Sequence, residues 1–476
     1  MMHLEHFYID GKWVDPVDPY LFDVINPSTE KTIAQIAMGN ALDVDRAVKA
    51  ARAAFLEYSE SPVAYRVELL KKVLDIYKRR YDEFAELISQ EMGAPITFSK
   101  SSQAIRGVAH LTEIIKALEQ FEFEAQTDTT LIRHEAIGVC SLITPWNWPV
   151  NQVMVKVAPA LAAGCTVILK PSEYSPLSAL LFAEVIDEAG VPPGVFNLIN
   201  GDGANVGARM SSHPDVEMVS FTGSTQAGIK VALSAAETVK RVTQELGGKS
   251  ANILLDDVDL VQAVSKGVAA CFTNSGQSCS IPTRMLIPAH LMDEAIQIAK
   301  KAADQYVVGP ANDPASQLGP VVNSKQFSSI QGHIQSGISD GATLVTGGLG
   351  RPDHCPVGYF IKPTIFANVS PAMAIAQEEI FGPVLAMIPY SSEQEAIEIA
   401  NNTEYGLAAY VQGQDLERVR RVAFKLRAGG VHLNYPAADF SAPFGGYKQS
   451  GNGREWGEHG LREYLEVKSI VGYAVE

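Results

Sequence analysis

Apolar side chains are arranged along the chain in two patterns: on one face of long helical segments, and in short continuous runs typical of buried strands. Three long segments place apolar side chains on one helical face, at residues 43–58, 62–92 and 100–119. Short apolar runs follow, and we predict strands near 138–144, 165–169, 195–199 and 216–221. Helical patterns lie between and after them, near 150–163, 176–189, 202–212 and 224–236. Such alternation predicts a parallel sheet covered by helices.

A second α/β series runs from about 252 to 433. Its apolar strand candidates lie at 251–255, 284–287, 384–388 and 408–411. Before the first series, residues 7–36 are typical of short strands and turns. Residues 121–135 alternate apolar and polar side chains about Thr127-Asp128-Thr129, which predicts a hairpin. Residues 463–474 are predicted to form a last strand. Because the hairpin is half polar, we expect it to project and to pair with another subunit.

Length and charge narrow the classes of function. A chain of 476 residues exceeds the size of one growing core, so two or three domains are expected. The formal net charge of −16 disfavours binding to nucleic acid or to an anionic membrane. The longest apolar run, residues 157–169, is shorter than the roughly 20 residues of a membrane span. The amino terminus lacks the pattern of a signal peptide, so a soluble, cytoplasmic protein is expected.

The five cysteines are widely spaced and include no C-x-x-C pair, so free thiols are expected and no metal site is predicted. Four of them are interpreted as packing residues: Cys140, Cys165, Cys271 and Cys355. Cys279 differs, because it follows Gly276-Gln277-Ser278 in a segment that resembles a loop. Glu245 likewise precedes Gly247 and Gly248. A thiol and a carboxylate together can form a thioester and then hydrolyse it.

Seven short motifs stand in register: TPWNWP (144–149), KPSE (170–173), FTGS (221–224), ELGGK (245–249), GQSC (276–279), EEIFGP (378–383) and PFGGYKxxG (443–451). Together they resemble the aldehyde dehydrogenase superfamily and cover nearly the whole chain. The resemblance implies an NAD-dependent, hydrolytic enzyme of α/β class. It implies a Rossmann-like cofactor domain at 1–122 and 141–245, and an α/β catalytic domain at 246–440. A small β oligomerisation element at 123–140 and 455–476 would make the protein a homodimer or homotetramer.

The resemblance assigns three catalytic roles. Cys279 would be the nucleophile, and its thiol needs a local positive field or a base to react at neutral pH. The side-chain amide of Asn147, with the backbone N–H of Cys279, would hold the oxyanion. Glu245 would activate the water that cleaves the thioester. A structural alternative is that Glu245 caps the backbone amides of Gly247 and Gly248, and that Asn147 only forms a turn.

The resemblance also places the cofactor. Lys170 and Glu173 are expected to bond the adenosine ribose hydroxyls, and a carboxylate there repels a 2′-phosphate, which favours NAD over NADP. Ser224 is a natural helix N-cap, and the amides near it can meet a pyrophosphate. Glu379 and Phe381 would hold the nicotinamide ribose and ring. The other predicted cofactor residues are Pro145, Trp146, Ser172, Phe221, Gly223 and Leu246.

Substrate choice is the least specified feature. Five positions match the tunnel of the family: Trp148, Val155, Thr273, Ser280 and Phe444. Aromatic rings with two hydroxyls near the thiol predict a small or medium aldehyde. No arginine in the sequence pattern marks a carboxylate-bearing semialdehyde. The alternatives are a CoA-acylating dehydrogenase, a thiol hydrolase without nicotinamide, and a binding or structural protein that keeps the fold.

Overall fold

The computed structural model describes residues 3–474. Within them the strands are β1 (Phe7–Ile9), β2 (Lys12–Val14), β3 (Tyr20–Asn26), β4 (Lys31–Met38), β5 (Glu124–Thr127), β6 (Thr130–Ala136), β7 (Val139–Ile143), β8 (Thr166–Lys170), β9 (Phe196–Leu198), β10 (Met218–Thr222), β11 (Arg241–Glu245), β12 (Ala251–Leu254), β13 (Arg284–Pro288), β14 (Thr343–Thr346), β15 (Thr364–Ala367), β16 (Val384–Tyr390), β17 (Ala408–Gln412), β18 (Gly430–Leu433), β19 (Gly451–Asn452) and β20 (Leu465–Val471).

The helices are α1 (Ala41–Tyr58), α2 (Val63–Arg79), α3 (Tyr81–Met92), α4 (Ile96–Phe98), α5 (Ile105–Gln120), α6 (Pro149–Ala163), α7 (Leu177–Ala189), α8 (Ala208–Ser212), α9 (Thr225–Ala235), α10 (Leu260–Phe272), α11 (Met292–Ala303), α12 (Ser324–Ser339), α13 (Ala374–Gln377), α14 (Glu393–Asn401), α15 (Leu416–Ala423) and α16 (Gly457–Glu463). None of the helices described is both long and apolar enough to cross a lipid bilayer.

The first sheet has eight strands in the order β19-β11-β10-β7-β8-β9-β1-β2. Its five central strands, from β11 to β9, are parallel. Every residue of β7, β8 and β10 is buried, because helices cover both faces. Helix α6 is buried along its whole length and ends at Gly164, whose φ of +95° favours glycine.

The second sheet has seven strands in the order β14-β15-β16-β13-β12-β17-β18. Its pairs are parallel except β14–β15 at the edge. A third sheet joins β20 to the β6–β5 hairpin. The predicted fold class, a Rossmann-like α/β unit with a second α/β unit and a small β element, is confirmed. The hairpin and the last strand are also confirmed, the latter over Leu465–Val471.

The structure departs from the predicted elements in three places. The segment 62–92 is two helices rather than one, because the chain leaves helical geometry at Arg80 (φ −99°, ψ 13°). The guanidinium of Arg80 bonds Glu83 and Glu184. The predicted helix near 202–212 is a π-helical turn, Gly203–Gly207, followed by the five residues of α8. Strand β11 was not predicted, because its sequence Arg-Val-Thr-Gln-Glu is mostly polar.

Candidate active site

Four predicted motifs follow neighbouring parallel strands of the first sheet. The register pairs Ile143 with Lys170, Phe221 with Ile143, and Thr222 with Glu245. The carboxyl ends of β7, β8, β10 and β11 therefore lie side by side at one edge of the sheet. Ligands of open parallel sheets bind outside this edge.

Three glycines lie where the Cys279 loop and its neighbouring segments meet this edge. A Cβ atom built on Gly248 would lie 2.2 Å from the carbonyl oxygen of Cys279, and one on Gly247 would lie 2.7 Å from Oε2 of Glu379. A Cβ on Gly276 would lie 2.0 Å from the carbonyl oxygen of Gly382. The segments around residues 245, 279 and 379 are therefore in direct contact, and glycine is needed where they meet.

Gly248→Ala should lower kcat by about 100-fold, because the new methyl group must displace the backbone of Cys279 and misplace its thiol. Steady-state kinetics with a saturating aldehyde would measure the effect. Gly332→Ala is the matched control, since nothing lies within 4 Å of a Cβ at that position on α12. Equal activity of both variants would contradict the contact between the two loops.

Glu245 is the last residue of β11 and is only 3% exposed. Neither of its carboxylate oxygens has a hydrogen-bond partner among the described residues. Burial raises its pKa well above the ordinary value, and the charge of Glu455 raises the pKa further, whereas Lys156 opposes the shift. The capping alternative is wrong, because the backbone N–H of Gly248 donates to Oε1 of Glu379 at 2.9 Å.

Cys279 is the one cysteine of the described chain that is not buried. The residue keeps some exposed surface, but its sulfur is largely desolvated, which raises the pKa of the thiol. The charges of Glu379 and Glu245 raise this pKa further. The surroundings therefore favour the neutral thiol over the thiolate, and reaction requires a base. Of the two means of activation considered from the sequence, the structure favours a base over a local positive field.

Asn147 joins the loop after β7 to the Cys279 loop. Its side-chain amide donates to the carbonyl oxygen of Gln277 at 3.1 Å, and its own carbonyl accepts from the amide of Asn274 at 2.9 Å. The indole N–H of Trp148 donates to the hydroxyl of Ser278 at 2.6 Å. These bonds fix the Asn147 amide beside the thiol loop, and its second N–H remains free to donate.

The predicted adenosine residues lie at the end of β8. Nζ of Lys170 donates to the carbonyls of Gly201 (2.7 Å) and Pro171 (2.9 Å) and lies 3.7 Å from Oε2 of Glu173. The hydroxyl of Ser172 accepts from the backbone N–H of Tyr174. The Glu173 carboxylate is thus held near a lysine and is partly exposed at this edge of the sheet.

The predicted pyrophosphate residues lie between β10 and α9. Ser224 caps α9, as expected, by accepting from the backbone N–H of Ala227 at 3.3 Å. Gly223 is required because a Cβ there would lie 2.5 Å from the ring of Phe221. Phe221 and Leu246 belong to one apolar cluster. Oγ1 of Thr222 is buried and has no partner among the described residues, so a polar group is available at this edge.

The predicted nicotinamide residues surround the Cys279 loop. Glu379 is partly exposed, and desolvation of its carboxyl group raises its pKa to about 7. Trp146, after Pro145 in the partly exposed loop that follows β7, meets Phe381 edge-to-face with 5.4 Å between ring centroids. Phe381 adopts a φ of +58°, an uncommon conformation for a bulky residue.

The predicted tunnel residues are only partly brought together. Trp148 and Ser280 flank the thiol loop, and the backbone carbonyl of Ser280 accepts from the hydroxyl of Tyr410 at 3.2 Å. Phe444 stacks on Trp456 with 4.8 Å between centroids. Val155 is buried on α6. Thr273, which directly follows α10, donates its hydroxyl to the backbone carbonyl of Ala269 at 3.0 Å.

Sequence reasoning missed several residues of this region. Cζ of Arg106 lies 4.4 Å from the centroid of the Trp148 ring and 5.7 Å from that of Phe440. Nζ of Lys156 lies 2.7 Å from the carboxylate of Glu455, and this buried pair sits close enough to Glu245 to change its pKa. No local motif surrounds these residues, so the only available signal was charge in segments predicted to be buried or helical.

Comparison with known proteins agrees with the geometry. The model of the "Aldehyde dehydrogenase family" matches residues 13–470. The chain is 52% identical over 474 residues to the 3-succinoylsemialdehyde-pyridine dehydrogenase of Pseudomonas sp., covering 99% of each chain.

Solved structures are similar over nearly their whole length. A cysteine-to-alanine mutant of aldehyde dehydrogenase C from Pseudomonas syringae, complexed with NAD+ and octanal, has a TM-score of 0.99 at 52% identity, covering 99% of this chain and 97% of that one. Betaine aldehyde dehydrogenase from Staphylococcus aureus in complex with NAD+ has a TM-score of 0.96 at 35% identity, covering 99% and 95%. The chain therefore belongs to the aldehyde dehydrogenase family.

Proposed function

We propose that this protein oxidises an aldehyde to a carboxylate, with NAD as the hydride acceptor and water as the acyl acceptor. The observation that carries the proposal is the buried Glu245 carboxylate, which has no hydrogen-bond partner within residues 3–474 and lies in electrostatic range of the Cys279 thiol. A carboxylate left unpaired in a buried position is costly unless it has a chemical task.

In the first half of the reaction, the thiol of Cys279 gives up its proton to solvent water, and its sulfur forms a bond to the carbonyl carbon as the carbonyl π bond breaks. The carbonyl oxygen gains negative charge and is held by the free N–H of Asn147. One such donor lowers the barrier by about 3–4 kcal/mol in comparable sites. A bound NAD would supply the hydride acceptor, and loss of hydride from the thiohemiacetal carbon would leave a thioester on Cys279.

In the second half, Glu245 takes a proton from a water molecule as its oxygen bonds to the thioester carbon. The carbon–sulfur bond then breaks, the carboxylate product leaves, and Cys279 regains its proton. The raised pKa of Glu245 makes it a stronger base than an exposed glutamate, as general-base catalysis near neutral pH requires. A CoA-acylating enzyme has no use for such a base.

The residues at the sheet edge fit NAD. The partly exposed Glu173 carboxylate would bond ribose hydroxyls, and the cap of α9 with the unpartnered Thr222 hydroxyl would meet the pyrophosphate. Glu379 and Phe381 would hold the nicotinamide ribose and ring. The complexes of the Pseudomonas syringae and Staphylococcus aureus relatives with NAD+ support this choice over NADP.

The remaining assignments also belong to the proposal. The substrate is a small or medium aldehyde, enclosed by Trp148, Ser280 and Phe444, and the octanal complex of one relative supports an aldehyde of this size. The division into a cofactor domain, a catalytic domain and an oligomerisation element follows the boundaries given above. The β20-β6-β5 sheet exposes the edge of β5, which favours a homodimer or homotetramer. A cytoplasmic location is also part of the proposal.

The test is a panel of aldehydes, each mixed with purified protein and either NAD or NADP, without CoA. We expect the reduced cofactor and the carboxylic acid as products. The value of kcat/KM should be at least about tenfold higher with NAD than with NADP, because the Glu173 carboxylate repels a 2′-phosphate. Product analysis would accompany the NADH measurement. Turnover only with CoA, or ester hydrolysis without any aldehyde oxidation, would contradict the proposed function.

A further inference from the structure

Arg106, on the first turn of α5, presents its guanidinium to an aromatic wall beside the thiol loop. The Cζ atom of Arg106 lies over the Trp148 ring, 4.4 Å from its centroid. The centroid of the Phe440 ring lies 5.7 Å from the same atom. The indole of Trp148 is fixed in turn by its bond to Ser278, the residue before Cys279. The guanidinium is therefore held two contacts away from the reacting sulfur.

This guanidinium has no partner of its own. Among residues 3–474 no carboxylate or carbonyl forms an ion pair or hydrogen bond with it, and its Nε is buried. Burial lowers its pKa to about 10, while charge at Cys279 opposes the shift. Arg284 shows the contrast: it is only 1% exposed, whereas Arg106 is partly exposed, and the nitrogens of Arg284 donate to three backbone carbonyls at 2.9 Å each. Arg284 is thus a satisfied structural residue, whereas Arg106 is not.

The geometry leaves the edge of the Arg106 guanidinium available. The cation–π contact with the Trp148 ring is made through Cζ, and it uses none of the N–H groups, which lie in the plane of the guanidinium, as hydrogen-bond donors to a partner. A carboxylate matches that edge with two parallel hydrogen bonds, and such charge-assisted pairs are strong where water is excluded. An alkyl chain beside Arg106 would instead leave a desolvated charge without a partner.

We propose that Arg106 is a specificity-determining residue that binds a carboxylate at the far end of the substrate, so that the preferred substrates are semialdehydes of dicarboxylic acids. The inference rests on the proposed function, because it requires the aldehyde carbon to lie at Cys279. The aromatic rings of Trp148 and Phe440 contact the carbon chain between the two ends. Glu379 and Glu245 lie in electrostatic range of the Cys279 thiol, so their negative charge would repel a carboxylate from the aldehyde end of the site.

Matched substrate pairs test this role. Hexanal is compared with adipate semialdehyde, and butanal with succinate semialdehyde, in wild type, Arg106→Gln and Arg106→Lys. The ratio of kcat/KM for the acid to kcat/KM for the plain aldehyde should fall at least about tenfold in Arg106→Gln, mainly through KM. Arg106→Lys should retain part of the ratio, because lysine keeps the positive charge but lacks the two parallel N–H donors of the guanidinium.

Three comparisons keep the outcomes distinct. Arg421→Gln removes an exposed, unpaired arginine from α15 and should leave the ratio at its wild-type value. NAD binding and the unfolding midpoint of Arg106→Gln show that it is folded.

A ratio that Arg106→Gln does not change would overturn the inference. The inference would also be overturned if kcat/KM for a neutral keto aldehyde fell equally or more in Arg106→Gln. That result would identify an uncharged hydrogen-bond acceptor as the group that Arg106 binds. If wild type oxidises no aldehyde with NAD, the proposed function itself fails.

Discussion

Replacing Cys279 with alanine should lower kcat for aldehyde oxidation by at least about 10⁴-fold, because the variant has no atom to form the thiohemiacetal. The other four cysteines are buried, and none can take over this role at the sheet edge. Stopped-flow measurement of NADH formation would show whether the first turnover is lost together with steady-state turnover. NAD binding should persist, since the predicted cofactor contacts come from other residues.

Cys355→Ala is the matched control for this change. It removes a buried thiol in a loop far along the chain from the sheet edge, and its activity should stay close to that of wild type. If Cys279→Ala retained substantial oxidation, or if both variants lost activity equally, the assignment of the nucleophile would be wrong.

Replacing Glu245 with glutamine should separate the two halves of the reaction. Steady-state kcat should fall by about 10²–10⁴-fold, the usual contribution of a general base. The first turnover should slow far less, because the thiol can still lose its proton to solvent. A burst of NADH, roughly equal to the enzyme concentration, should therefore precede a slow steady state.

The pH dependence supplies a second readout of the same change. Only the ionised Glu245 carboxylate can accept a proton, so wild-type kcat should rise with pH through the pKa of this residue. Burial and Glu455 raise that pKa, which places the rise at higher pH than for an exposed glutamate. Glu245→Gln should lose this limb, whereas Glu466→Gln, an exposed control on β20, should keep it. A burst and a steady-state rate that fall equally would contradict the role in hydrolysis.

The parts of the fold that the sequence predicted are those with strong apolar patterns. β7, β8 and α6 are buried on all sides, so their sequences are mostly apolar and their positions were predicted to within a residue or two. β11 was missed because it carries Arg241, Thr243 and Glu245, and its strand geometry depends on pairing with β10 and β19. Tertiary pairing overrode local propensity there.

The candidate site likewise contains residues that the sequence marked and residues that it did not. Cys279, Glu245 and Asn147 lie in short motifs with glycine or proline beside them, so local sequence marked them. Lys156 and Glu455, which adjust the pKa of Glu245, are separated by 299 residues and carry no motif. Arg106 was missed for the same reason, since a charged residue early in a helix is usually solvent-exposed. Only the folded chain shows that its guanidinium lies against Trp148.

The most direct measurement is peptide mapping by mass spectrometry of the Glu245→Gln variant, quenched in acid during its slow steady state with NAD and hexanal. The tryptic peptide of residues 267–284 contains both Cys271 and Cys279, and fragment ions distinguish the two. We expect a hexanoyl group on Cys279, removable by hydroxylamine, and an unmodified Cys271. NADH formation with no acyl group on Cys279, or with the acyl group on another residue, would contradict a thioester mechanism at this sulfur.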